Sequence, residues 1–177
     1  EVLMPQPHDI EADERFIIDI MPFLKDPRYI RVNNKPMLIV YNVGRIPNPK
    51  ELFKRWREIA RNEGFDDLHI VIAQTFGVKE PYPYGADAAV EFPPHTSVSP
   101  EITDDLLNEE EKRVFKGRVF DYREVVAREI AKSPTPYLLY RGLMTGWDNS
   151  PRRGATAHIF HWSSPEYYEI WLRHLIS

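Results

Sequence analysis

A chain of 177 residues, 42% hydrophobic and 28% charged, is long enough for one packed domain and too apolar for a disordered segment. A net charge of −4 with no basic block leaves no nucleic-acid footprint, and the lack of cysteine excludes disulfides, zinc ribbons and thiol catalysis. No apolar run approaches the ~20 residues that cross a bilayer.

Sixteen prolines against eight glycines predict many stiff loops. Residues 1–11 read as a loop entering a helix near Ala12, whose apolar stripe is Phe16, Ile17, Ile20, Met21 and Leu24. Pro22 is expected to kink or restart that helix and Pro27 to close it. Tyr29–Val32 reads as a short strand, Asn33-Asn34 as a turn, and Pro36–Tyr41 as a strand buried on both faces. A helix beginning near Lys50 carries Leu52, Phe53, Trp56, Ile59 and Ala60 on its apolar face, with Arg55, Arg57, Glu58 and Arg61 expected in water and Gly64 as its stop.

Leu68–Ala73 reads as a second buried strand, and Ala86–Phe92 as a third, centred on Ala88-Ala89-Val90. Residues 96–119 read as a long polar insertion with one short helix. A helix over Asp121–Lys132, a strand at Tyr137–Tyr140 and a weaker strand at Ala157–Phe160 follow. Ser163 or Ser164 is expected to cap the last helix, with Pro165 near its first position and Glu166 placed for a capping box.

Strands alternating with helices predict parallel pairing and an α/β fold. The doubly wound version lacks its usual glycine-rich phosphate loop. A closed eight-unit barrel typically needs ~250 residues, so residues 1–177 read as a single α/β domain that forms a partial (β/α)8 TIM-type barrel. The chain opens at Glu1 rather than Met and is therefore expected to be a segment. A cytoplasmic place, free or at the membrane face, is expected, with secretion left open by the segment's start.

Polar and aromatic groups recur where the strands end: Tyr41-Asn42, Gln74-Thr75-Phe76, Glu91 to His95, and Trp147 to Arg153. Barrels present their sites at one such rim. Glu91 leaves an apolar strand, an environment that raises a carboxyl pKa and suits a general acid; pairing with Arg152 or Arg153 would lower it instead. Asp148 is the second acid or base candidate, and it either meets sugar hydroxyls or caps its own turn. Trp147 suits stacking on a sugar face, and Arg152 and Arg153 suit anionic groups. Tyr41, Gln74, His95 and Asn149 complete the expected binding set. His158 and His161 would point to opposite faces of a strand, with no carboxylate at matching spacing, so no metal and no cofactor are expected.

Several segments resemble the WbsX-like glycosyltransferases, also described as glycoside hydrolase family 99-like domains. They are Asp26–Ile30 with Lys35-Pro36-Met37 and Tyr41; Trp56-Arg57; Asp87 to His95; Phe120-Asp121-Tyr122; Trp147 to Arg153; and Ser164-Pro165-Glu166 with Trp171-Leu172. The resemblance implies a (β/α)8 barrel acting on a carbohydrate or sugar-nucleotide substrate in bacterial surface-polysaccharide assembly, lipopolysaccharide or capsule, by transfer or by hydrolysis. A non-catalytic carbohydrate-binding or scaffold segment is the alternative. The resemblance also implies further barrel strands on both sides of this stretch. The later ones would carry the acidic residues that look catalytic in hydrolase relatives, so this segment alone is expected to be inactive.

Overall fold

The computed structural model describes residues 9–177. The expected entry loop falls largely on residues 1–8, outside the described residues. Asp9 accepts the amide of Ala12 and caps helix α1 (Ile10–Lys25), which runs through Pro22 without a break.

The chain forms two compact units, the first holding residues up to Val90 with Pro136–Tyr140, the second Glu91–Thr135 with Arg141–Ser177. In the first unit, β1 (Arg31–Val32) and β2 (Lys35–Val40) form an antiparallel hairpin. Its turn residues Asn33 and Asn34 both have positive φ, 48° and 63°, the backbone that a tight two-residue hairpin requires. Asparagine tolerates that region better than most side chains. Helix α2 (Pro49–Asn62) opens on a proline and leads into β3 (His69–Gln74). The sheet continues with β4 (Ala88–Glu91) and β6 (Leu139–Tyr140), in the order β1-β2-β3-β4-β6. The β2–β3 and β4–β6 pairs are parallel. The order follows the chain without reversal, so the sheet lacks the switch point of a doubly wound fold.

Alternation along these strands sorts the side chains. Leu38, Val40, Ile70, Ile72, Ala89 and Leu139 pack with Ile17, Met21 and Leu24 of α1 and with Leu52, Phe53, Trp56 and Ala60 of α2. Burying an aliphatic side chain of this size stabilises by about 1.5–3 kcal/mol, so this layer holds the unit together. Trp56 adds a hydrogen bond from Nε1 to the Asp13 carbonyl at 2.8 Å. β2 departs from the expected burial on both faces: Ile39, on the side away from the helices, is 51% exposed. Arg57 departs as well. Its guanidinium turns inward to Asp87 at 2.8 Å and Asp67 at 3.3 Å, and Asp87 also accepts the Ile70 amide.

The second unit contains α3 (Thr103–Leu106), α4 (Glu109–Val114), β5 (Arg118–Asp121), α5 (Tyr122–Ile130), α6 (Ser150–Arg153), β7 (His158–His161) and α7 (Pro165–Ile176). The region expected to be one insertion thus holds two short helices and the first half of a strand. β5 and β7 pair in parallel. An antiparallel bridge from Glu101 lies on β5 and another from Asp148 on β7. Tyr122, Val125 and Val126 of α5 pack with Trp171 of α7, Phe160 and Met144. Ser164 caps α7, but Glu166 falls one position short of a capping box. The box forms at α4 instead, between Asn108 and Glu111.

Candidate functional site

In the first unit, the ends of β2 and β3 are held together by the Thr75 hydroxyl, which donates to the Tyr41 carbonyl at 2.6 Å. The Tyr41 and Phe76 rings meet edge to face, centroids 5.9 Å apart. Phe76 has φ 50° and is 64% exposed. A bulky residue in the left-handed region is a steric outlier, and here it displays an apolar ring to solvent. The Gln74 amide donates to the Lys79 carbonyl and to the Tyr137 hydroxyl. His69, buried at the start of β3, lies 2.9 Å from the Tyr140 hydroxyl; burial, chiefly, holds its pKa below the ordinary value.

In the second unit, Glu91 is 4% exposed and fully engaged. One carboxylate oxygen accepts from Lys132 at 2.8 Å; the other accepts from Arg141 Nε and the Gly142 amide, each at 2.9 Å. Burial pushes its pKa up, but these bonds outweigh it and hold the carboxyl below the ordinary value. Glu91 is therefore a fixed carboxylate and not a raised acid, and its cations are Lys132 and Arg141 rather than Arg152 or Arg153. Glu129 lies in the same cluster, 1% exposed, with Oε2 2.5 Å from Lys132 Nζ but outside hydrogen-bond geometry. Burial keeps its pKa above the ordinary value.

The Trp147 to Arg153 segment is less free than a loop. The Phe160 amide donates to the Trp147 carbonyl at 2.8 Å. Asp148 Oδ1 accepts the Ser150 amide, and Asn149 Oδ1 accepts the His158 amide, both at 2.8 Å. The Asn149 carbonyl receives the amides of Arg152 and Arg153. Two polar side chains thus hold the segment's shape, while Trp147, Arg152 and Arg153 stay exposed. Neither guanidinium has an ion-pair partner among the described residues. His95 is exposed, its ring 6.2 Å from that of Phe92.

A constellation missed by the sequence reading lies where β5 and β7 end. Asp121 and His161 are register partners. Asp121, 7% exposed, holds Arg123 through two side-chain bonds of 3.0 and 2.8 Å. The bond to Arg123 is the chief reason its pKa is lowered. The Arg123 guanidinium lies 3.8 Å from the centre of the Trp162 ring. Only recognition of β5 as a strand would have marked Asp121 as a strand end. Among the described residues, no group of three or more His, Asp or Glu side chains could hold a metal ion, and no helix is long and apolar enough to cross a membrane.

These features define a class: an α/β protein whose strand ends present aromatic, amide and guanidinium groups. Residues 1–177 match the profile of the family described as Glycosyltransferase WbsX, and the chain belongs to that family. It is 38% identical over 175 residues to the uncharacterized protein WxcX of Xanthomonas campestris pv. campestris, both in strain B100 and in strain ATCC 33913. Each match covers 97% of this chain and 24% of the relative, so the chain spans about a quarter of the length of the curated relatives it matches. No solved structure shows a significant match.

Proposed function

We propose that this chain is the glycan-contacting portion of a glycosyl enzyme that builds or trims bacterial surface polysaccharide, lipopolysaccharide or capsule, and that it contributes part of a (β/α)8 barrel. The observation that carries the reading is the set of exposed aromatic rings, Tyr41 and Phe76 just past strand ends in one unit and Trp147 alongside β7 in the other, in a chain of this family. Trp147 stacks on a sugar ring. His95 and the unused acceptor positions of Asp148 and Asn149 bond its hydroxyls. Arg152 and Arg153 take an acidic sugar, a phosphate or the diphosphate of a sugar-nucleotide donor. The chain-ordered sheet and the exposed Ile39 on its helix-free face support the barrel, whose interior such a face would line.

A second reading, a segment that grips glycan without performing the chemistry itself, is favoured by Glu91. A two-carboxylate glycosidase needs acidic groups roughly 5–9.5 Å apart with an acid available to donate a proton. Glu91 is buried, ionised and bonded to two cations. The reacting acids then come from outside residues 1–177. Both readings are tested in the full-length protein by following release of nucleotide from sugar-nucleotide donors and of reducing ends from polysaccharide, with Trp147→Ala and Glu91→Gln beside the unaltered protein. Loss of turnover with Trp147→Ala in a folded protein supports the glycan reading, and unchanged kcat/KM overturns it. Glycan binding without any product favours the second reading.

A further inference from the structure

We infer that Trp162, capped on one face by Arg123, forms a second carbohydrate platform in this chain, one selective for a neutral pyranose. The inference rests on the glycan reading above and goes beyond it, because neither residue belongs to the Trp147 to Arg153 segment.

Trp162 follows β7 directly and has φ 61°, a backbone that bulky side chains rarely adopt. The indole on this turn is 38% exposed. The turn is also held from its side. A Cβ on Gly146, which has φ 154°, would lie 2.9 Å from Ser163 Oγ, so the backbone at residue 146 closes against the residue after Trp162. On one face of the ring the Arg123 guanidinium sits at 3.8 Å, and Asp121 fixes that guanidinium with both carboxylate oxygens. Asp121, Arg123 and Trp162 are thus ordered before any ligand arrives, which lowers the entropy that binding must supply. His161, whose ring centre is 4.9 Å from that of Trp162 at a 48° tilt, is exposed and adds a hydroxyl partner beside the indole.

The charge balance decides the ligand class. Asp121 neutralises Arg123, so the platform offers an apolar ring and a neutral polar edge and no free cation. A pyranose with a continuous face of axial C–H bonds, as in β-linked gluco-configured chains, fits such a surface. An acidic sugar gains nothing here and is directed to cations such as Arg152 and Arg153, which no carboxylate offsets.

The test uses the full-length protein labelled at its tryptophan indole nitrogens, titrated with cellotetraose and, separately, with tetragalacturonate. The Trp162 cross-peak is expected to move with cellotetraose and to stay in place with tetragalacturonate. Trp162→Ala should weaken cellotetraose binding about tenfold and Trp162→Tyr, which keeps an aromatic face, by much less. The buried Trp171 indole serves as the reporter that each variant is folded. Cellotetraose binding that Trp162→Ala leaves unchanged, or a Trp162 signal that answers only to the acidic sugar, overturns the proposal. If Trp147 responds and Trp162 stays silent, the platform fails while the glycan reading stands. If neither indole answers to any sugar, both fail.

Discussion

Arg141 Nε stands 2.9 Å from Glu91 Oε2, and its Nη2 donates to the Glu129 carbonyl at 2.8 Å, so one guanidinium ties a strand-terminal carboxylate to the end of α5. Lys132 closes the other side of the cluster, bonding Glu91 at 2.8 Å. Removing one charge from such a cluster strands the others in a poorly solvated place. Glu91→Gln is therefore expected to destabilise the chain by about 3–5 kcal/mol, the range for breaking a buried pair. Urea denaturation compares it with Arg123→Gln, whose more exposed ion pair with Asp121 should cost less. Equal costs for the two would mean that the Glu91 cluster is not a structural clamp.

The two carboxyls of that cluster pull the pH dependence in opposite directions. Glu91 is held below the ordinary value of 4.5, so its contribution is present above that pH and lost as pH falls through the lower folded value. Glu129 is held above 4.5, so its contribution is present below that pH and lost as pH rises through the folded value. The cost of Glu91→Gln should then be smallest in acid and grow as the pH climbs to 4.5. The cost of Glu129→Gln should be greatest in acid and shrink as pH rises beyond 4.5. Unfolding midpoints measured from about pH 3 to pH 7 resolve the two limbs; parallel curves for both variants would reject the assignment.

The elements carried by local pattern were legible in the sequence. The apolar runs of β3 and β4, the stripe of α2 and the Ser164 cap of α7 all stand within one turn or one strand of their own signals. β5 was not, because Arg118–Asp121 is short and Asp121 both ends the strand and caps α5. No turn residue separates the two elements, and a helix reading absorbs the boundary. Long-range pairing hid the rest. Arg57 turns inward to an aspartate 30 positions away, and the cations on Glu91 come from 41 and 50 positions away. A local reading leaves Glu91 between burial, which raises its pKa, and a nearby cation, which lowers it, and offers Arg152 and Arg153 as that cation where the fold supplies Lys132 and Arg141. The three hydrogen bonds that decide the sign appear only once the chain is folded.

Gly142 is required by contact and not by its backbone angle. A Cβ there would lie 2.7 Å from the Glu91 carbonyl oxygen, 2.7 Å from Pro93 Cδ and 2.9 Å from Glu91 Cβ. None of these is the far end of a flexible side chain, so the backbone must move and carry the Gly142–Glu91 hydrogen bond with it. Gly142→Ala is expected to cost about 1–3 kcal/mol, as overpacking does. Gly64 is the contrast: φ is +97° but no atom lies within 4 Å of its added Cβ. Gly64→Ala should cost only backbone strain, about 1 kcal/mol. Thermal unfolding of the two variants tests the ranking, and a larger loss at Gly64 would reverse it.

Arg152 and Arg153 are separable from the fold in a way that Asp148 and Asn149 are not. The segment's shape rests on Asp148 and Asn149 side-chain acceptors and on backbone amides, while both guanidiniums are exposed and without an ion-pair partner among the described residues. Replacing both with glutamine should leave the thermal midpoint unchanged. It should weaken tetragalacturonate binding about twofold to thirtyfold, since two exposed charge contacts are each worth about 0.2–1 kcal/mol. The difference should narrow when calorimetry is repeated at high salt, because screening already removes most of what two exposed cations contribute. Asn149→Ala should do the opposite, lowering the midpoint through the lost bond to the His158 amide at any ionic strength. If the double arginine variant unfolds early and Asn149→Ala does not, the guanidiniums are scaffold and an anionic ligand loses its receptor.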